Sequence, residues 1–396
     1  MNVAIPRETY PGEARVAVPP AGLAPLMKAG LGVLVEAGAG DAAGFPDTEY
    51  EAKGARIVAD KAALMAEADV ILCVRTPGAN PERGAEDIPL LRQGQCIIGL
   101  SEPFTSADET SRIAETGATL LSMELIPRIT RAQSMDALSS MATLSGYKAV
   151  LMAADTLPKM FPMMMTAAGT IAPARVFVVG VGVAGLMAIA QAKRLGAVVE
   201  AYDVRPAVKE QVQSLGAKFV EMELDADDAE DSGGYAKALG DDFYRKQREL
   251  MARVVAANDV VITTAAIPGK TAPMLVTREM VESMQAGSVI IDLAAQTGGN
   301  CELTQADTTV RHHGVTILGP TNLPATLARD ASQMYGKNIT TLLLAMTKDG
   351  QVQVDLDDEV IAGTTVTHGG RIIHPTVLER LFPDEDASAI SKTAAN

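Results

Sequence analysis

Residues 174–203 read Ala-Arg-Val-Phe-Val-Val-Gly-Val-Gly-Val-Ala-Gly-Leu-Met-Ala-Ile-Ala-Gln-Ala-Lys-Arg-Leu-Gly-Ala-Val-Val-Glu-Ala-Tyr-Asp. The apolar, β-branched run 176–179 predicts a buried parallel strand. Gly180-x-Gly182-x-x-Gly185 follows at once, an amphipathic stretch continues to about residue 195, and a second strand over 198–202 ends on Asp203. Each part has a physical task. Gly180 allows the tight turn from strand to helix, Gly182 has no Cβ and lets a pyrophosphate approach the backbone, and Gly185 lets the helix lie close on the strand. The free N–H groups and positive dipole end of that helix then face the phosphates. Asp203 can accept hydrogen bonds from both hydroxyls of an adenosine ribose, and its charge repels a 2′-phosphate. A G-x-G-x-x-G alone also marks a structural turn. With strand, helix, second strand and acid at this spacing, it points to a dinucleotide site that takes NAD(H) in preference to NADP(H).

Composition bounds the rest. A chain of 396 residues suggests two domains, and 47% hydrophobic with 21% charged residues is usual for an α/β protein. The net charge of −15, without a dense basic cluster, argues against nucleic acid or an anionic membrane as main partner. Cys73, Cys96 and Cys301 are scattered without metal spacing and fit a reducing compartment; no metal site is predicted. The N-terminus reads as a short strand followed by charge and not as a signal peptide. The uncharged stretch 176–192 approaches membrane-span length, but it contains the glycine fingerprint and divides into strand, turn and helix.

Working outward, 2–5, 33–36, 70–74 and 95–99 read as strands, and 20–29 and 59–68 as helices. This βαβ rhythm predicts a parallel sheet covered on both faces. Gly38-Ala39-Gly40 reads as a plain loop. Residues 134–154 carry helical spacing, and 161–173 form a Met-rich, Pro-bounded connection in which Met163, Met164 and Met165 are expected to be core packing. Beyond the fingerprint, 217–220, 259–263, 288–293 and 316–318 read as strands. A helix over 326–346 is expected to return to the first domain, and the chain from 351 to form an edge hairpin and a tail. The expected fold is α/β, with two Rossmann-like doubly wound parallel-sheet domains, the NAD-binding one inserted in the other. The expected division is 1–140 plus 326–396, and 141–325. Between 221 and 231, seven of eleven residues are acidic, and Ser232-Gly233-Gly234-Tyr235 follows. This segment, about 221–240, reads either as a solvated surface loop or as a lid hinged at Gly233 and Gly234 and closed by Tyr235.

The stretch Pro127-Arg128-Ile129-Thr130-Arg131-Ala132-Gln133-Ser134-Met135-Asp136-Ala137-Leu138-Ser139-Ser140 resembles the R-x-x-R-A-Q-S-M-D signature of proton-translocating NAD(P) transhydrogenases. The chain is similar to their NAD(H)-binding part, the soluble alpha-1 subunit of the three-subunit bacterial form. Pro162-Met163-Met164-Met165-Thr166-Ala167-Ala168-Gly169-Thr170, Gly233-Gly234-Tyr235-Ala236-Lys237 and Ile267-Pro268-Gly269-Lys270 agree, and the resemblance spans nearly the whole chain. It implies that Arg128, Gln133, Asp136 and Ser139 line the nicotinamide end, with Gln133 holding the dihydronicotinamide against the NADP nicotinamide of a partner subunit. It also implies that Tyr235 sits on a closing loop. The candidate cofactor positions are Gly180, Gly182, Val183, Ala184, Gly185, Asp203, Val204, Arg205, Gly234, Tyr235, Ala265, Leu293 and Asn322. The implied partners are an NADP(H)-binding subunit, a membrane-spanning proton-channel subunit and a second copy of this chain. The implied location is the cytoplasmic side of a bacterial membrane, held there through those subunits. Pro320, in Gly319-Pro320-Thr321-Asn322, stands where some members of that family carry His.

The rival is a related enzyme, alanine dehydrogenase. Oxidising an amino acid requires a proton acceptor. Hydride transfer between two nicotinamides releases no proton from a substrate and needs alignment and dry surroundings. The alanine dehydrogenase pattern carries a substrate Arg, a Lys, a His and a catalytic Asp. Here Arg15 survives, while the others fall at Arg75, Gly99 or nearby, and Gln296, none of which can act as a base. Arg15 is either a relic of that site or structural. His312, His313, His368 and His374 lie late and are expected in surface loops. Three readings thus remain: a transhydrogenase subunit, a stand-alone amino-acid dehydrogenase, and an NAD-sensing module without chemistry.

Overall fold

The structure, a computed structural model, describes residues 1–221, 241–267 and 269–382. The chain forms two compact units, one from residues 1–141 and the chain from Pro324 onward, the other from Ala142–Leu323. Both are α/β, with mostly parallel sheets.

In the first unit the sheet runs, from one edge, Arg371–Ile372, Thr365–His368, Thr119–Ser122, Cys96–Leu100, Val70–Arg75, Asn2–Ile5, Gly32–Glu36 and Arg56–Val58. The six strands from the N-terminal part are parallel. The C-terminal hairpin adds the antiparallel edge, and Thr367 Oγ1 donates to Ala118 O at 3.0 Å and accepts from Leu120 N at 3.0 Å. The central runs are continuously apolar because helices cover both faces. Val70 to Val74 are all buried, as are Val3, Ala4 and Ile5.

In the second unit the order is Lys218–Phe219, Val198–Tyr202, Arg175–Val179, Val260–Thr263, Val289–Asp292, Val315–Leu318 and Thr309–His312, with only the last strand antiparallel. The first three strands run outward from Arg175–Val179 one way, and the next run the other way. The order therefore reverses between Arg175–Val179 and Val260–Thr263, the position where ligands bind at the carboxyl ends of such sheets. One face packs against helix Val183–Arg194 through Ala188, Ile189 and Ala192. The other packs against Leu250, Met251, Val255 and Val281.

Two expectations are corrected here. Met163, Met164 and Met165 are not core: their segment is a two-stranded hairpin, Met164–Thr166 with Gly169–Ile171, that joins neither large sheet, and Met165 is 77% exposed. With no sheet to lie under, the thioethers have no core to fill. His312 and His368 lie in strands and not in loops, pairing with Glu282 and Thr119, and His374 precedes helix Pro375–Leu381, half-buried. Among the described residues no helix is long and apolar enough to cross a membrane.

Candidate functional site

The three fingerprint glycines have three different surroundings. Gly180 has φ +92°, and a Cβ there would lie 2.7 Å from Thr264 Oγ1 and 3.0 Å from Ala265 N. A Cβ on Gly185 would stand 2.0 Å from Gly180 O, so the helix meets its strand backbone to backbone. Gly182 has no atom within 4 Å of such a Cβ; the space beside it is open. Helix Val183–Arg194 starts there without a side-chain cap and without an acid in its first turn. Its first N–H groups, those of Val183, Ala184 and Gly185 among them, and its positive end are thus available to an anion. An open approach at Gly182 beside an uncapped helix start fits a dinucleotide pyrophosphate.

Asp203 ends the next strand, and its carboxylate is already engaged. Oδ2 accepts from Val181 N at 2.7 Å and Arg205 Nη2 at 3.0 Å; Oδ1 accepts from Arg205 N and Nε, both at 2.9 Å. This acid thus has an internal cation as partner. Val204, between them, lies half-buried against the core.

Sequence reasoning missed the group that frames the far side of the switch point. Asn300 is fully buried; its Oδ1 accepts from Ala265 N at 3.0 Å, and its Nδ2 donates to Ala265 O at 2.8 Å and Pro273 O at 2.9 Å. Asp292, also fully buried, accepts from Thr263 Oγ1, Ala294 N, Asn300 N, Cys301 N and Thr304 Oγ1. Thr264 Oγ1 donates to Gly180 O at 2.9 Å. An acid that closes a wholly apolar strand, followed by Gly298-Gly299 at φ +101° and +83°, was the available signal. Leu293 follows that acid and packs on the core. Asn322 follows a turn in which Asp307 accepts from Thr321 N at 2.9 Å and Thr321 Oγ1 at 2.6 Å.

The signature residues lie in the first unit. Residues Thr130–Met135 form a 3-10 helix with Ala132 and Met135 buried and Gln133 exposed; Arg128 is exposed just before it. Asp136 stands just before helix Ala137–Thr156: it accepts from Ser139 N at 2.8 Å and from Ser139 Oγ at 2.6 Å. That is an N-cap arrangement, so both side chains hold the helix start. The fingerprint, Asp203, Ala265, Leu293 and Asn322 fall in the second unit. Gly234, Tyr235 and nearly all of the acidic segment, with Pro268, lie outside the described residues.

Arg15 and Arg75 converge on one buried acid. Glu13 accepts from Arg15 Nε at 2.7 Å and Nη2 at 2.6 Å, and from Arg75 Nε at 3.2 Å. Its side chain has no exposed surface, and Arg75 lies over the Tyr10 ring. Glu8 is half-buried beside them, bonded by Val74 N and Arg75 N; loss of water around the carboxyl, and then the Glu13 charge, push its pKa up to about 8. A Cβ on Gly99 would sit 2.7 Å from Cys73 O, so strand Cys96–Leu100 has no room for a side chain there. Among the described residues no cluster of His, Cys, Asp or Glu is arranged to hold a metal ion.

A sheet that reverses at a glycine fingerprint, with a second α/β unit before and after it in the chain, defines a dinucleotide-binding class. The chain belongs to the alanine dehydrogenase/PNT family: the model of the family's N-terminal domain matches residues 4–145, and that of its C-terminal domain residues 149–375. Within that family it is 47% identical over 380 residues to the first part of NAD(P) transhydrogenase subunit alpha from Rhodospirillum rubrum, covering 95% of this chain and 99% of that one. It is 30% identical over 386 residues to the alanine dehydrogenase of Halomonas elongata, covering 96% of each. The crystal structure of transhydrogenase from Sinorhizobium meliloti superposes with a TM-score of 0.84 at 46% identity, covering 94% of this chain and 100% of that one.

Proposed function

We propose that this chain is the NAD(H)-binding subunit of a proton-translocating transhydrogenase. It would pass hydride between NADH and NADP⁺ held on a partner subunit, with proton movement assigned to a membrane-spanning subunit. The observation that carries this reading is the open approach at Gly182 beside an uncapped helix start, on a chain that matches a transhydrogenase alpha subunit along its length. The helix start takes the pyrophosphate, Asp203 the adenosine ribose, and the Thr264–Ala265 turn, framed by Asn300, walls the switch point. Arg128 and Gln133 serve the nicotinamide end, with Asp136 and Ser139 holding the helix that follows them. When bound, the dinucleotide supplies the hydride chemistry; the residues here bind and orient it. The proposed assembly has a second copy of this chain, the NADP(H)-binding subunit and the membrane subunit, on the cytoplasmic side.

The dehydrogenase reading is disfavoured by two particulars. Arg15 and Arg75 close on Glu13, and Gly99, at or near which that pattern carries its histidine, has no room for a side chain. Reconstitution tests the proposal. Purified chain should bind NADH and give no net turnover until an NADP(H)-binding transhydrogenase subunit is added. Steady-state oxidation of an amino acid by the chain alone would overturn it.

A further inference from the structure

We propose that Asn338 is a positioning residue for Gln133, an inference that rests on the proposed role of Gln133 as the group that orients the nicotinamide. The segment that carries Gln133 is a six-residue 3-10 helix, Thr130–Met135, and such runs rarely persist beyond three or four residues because their hydrogen bonds are poorly aligned. It needs an outside hold. Asn338, on helix Ala328–Ala345, supplies one: its Nδ2 donates to Ser134 O at 2.9 Å, across 204 positions of sequence. Ser134 directly follows Gln133, so this bond pins the Ser134–Met135 peptide plane, one residue beyond the orienting side chain.

Asn338 is 6% exposed, and its Oδ1 is buried without a protein partner among the described residues. Turning the amide over would set Oδ1 against the Ser134 carbonyl, acceptor to acceptor, so the observed orientation is the one the bond requires. A buried, unpaired acceptor costs stability. A leucine of similar size would escape that cost and lose the bond to Ser134. The asparagine is therefore better explained by what it holds than by what it stabilises.

A second hold comes from the same C-terminal return of the chain. Arg131 meets Asp358 through two parallel bonds, Nη1 to Oδ2 at 2.7 Å and Nη2 to Oδ1 at 3.0 Å. Asp358 Oδ1 also caps helix Glu359–Thr364 by accepting from Val360 N at 2.8 Å and Ile361 N at 3.2 Å. The fork geometry fixes direction. With Arg131 half exposed the pair adds little stability, so its use is orientation. Gln133 thus stands between two tethers, one on the residue after it and one two residues before.

The test uses the full chain with an NADP⁺-loaded NADP(H)-binding transhydrogenase subunit. Asn338→Leu should slow single-turnover hydride transfer by about tenfold while NADH affinity, by calorimetry on the chain alone, stays within about twofold. A merely structural role would instead lower the melting temperature and leave the rate per folded molecule unchanged. Should Asn338→Leu fail to fold, Asn338→Ala, which also removes the bond to Ser134, carries the test with the same split between rate and affinity; Asp358→Asn reads the second hold, with a slowing of about threefold, as for a weaker tether. If Asn338→Leu transfers at the unmodified rate while Gln133→Asn is slow, the inference is overturned and the proposed role of Gln133 stands. If both transfer at the unmodified rate, both fall. If affinity drops in step with rate, Asn338 acts on binding and the positioning role is overturned.

Discussion

Asp203 accepts four hydrogen bonds from its own chain, and three of them come from Arg205. Four is about the full capacity of a carboxylate. In the proposed NAD(H) site an adenosine ribose at Asp203 therefore shares or displaces the guanidinium, while the carboxylate charge repels a 2′-phosphate. NADH should bind much more tightly than NADPH, and Asp203→Asn should narrow the gap by ~1–2 kcal/mol, as for loss of a charge-assisted bond. Calorimetry with both cofactors decides it; equal affinities in the unmodified protein would remove Asp203 as the selector.

The glycines should separate binding from folding. At Gly182 an added methyl meets open space and φ is −83°, so Gly182→Ala should melt as the parent does. It should weaken NADH by about tenfold, because the methyl takes up room at the pyrophosphate. Gly185→Ala drives a Cβ against Gly180 O and should cost ~1–3 kcal/mol of stability or more. Melting curves beside NADH titrations check both, and equal effects from the two variants would contradict the assignment.

Glu13 predicts a loss and an absence. Glu13→Ala leaves the buried Arg15 guanidinium without its bidentate partner and should cost ~3–5 kcal/mol in urea unfolding. A cost below about 1 kcal/mol would place the arginines in solvent contact. Because Arg15 and Arg75 are so engaged, no oxidation of L-alanine with NAD is expected from the unmodified chain.

Glu8 gives the fold a pH dependence with a defined sign. Its pKa is raised from the usual 4.5 to about 8 by burial and by Glu13, so the folded state favours the protonated acid. Below the unfolded value both states hold the proton and no stability is lost. As pH rises from there through about 8, the unfolded chain ionises first and stability declines. Glu8→Gln should flatten that decline in a series of melting temperatures against pH; an unchanged slope would mean that another group causes it.

Gln133→Asn keeps the amide and shortens its reach by one methylene. NADH affinity should hold while transfer to the partner's NADP⁺ slows, by up to roughly a hundredfold for a displacement of about 1 Å. The rate should vary little with pH near neutrality, since the proposed transfer uses no titrating side chain of this chain. Arg128→Ala should weaken binding and slow transfer together. Stopped-flow mixing over a pH series reads all three.

The strand, turn, helix and acid of 174–203 were legible because each task there belongs to a residue type at a local spacing. The same holds for the βαβ alternation that marks the α/β class. Legibility failed where a partner is distant or an environment is missing. Asp203 could be read as an acceptor, but not that Arg205, two residues on, folds back over it. The three methionines look like core in any window of sequence, and only the isolation of their hairpin from both sheets exposes them. Asp136 and Ser139 have the spacing of a helix cap, a reading that the signature overshadowed. Asn300 and Asn338 were invisible because each works on a backbone carbonyl far away in sequence.

The first unit takes the two strands of one edge, Thr365–His368 and Arg371–Ile372, from the far end of the chain, whereas every strand of the second unit's sheet lies between 175 and 318. Synthesis runs from the N-terminus, and domains generally fold as units. On the ribosome, therefore, the nucleotide-binding sheet has all its strands while the earlier-made sheet still lacks an edge. Until residues 365–368 emerge, strand Thr119–Ser122 presents unpaired backbone to whatever is nearby. A nascent chain stalled before that point is the species in which a chaperone, or a neighbouring copy, would find an open strand.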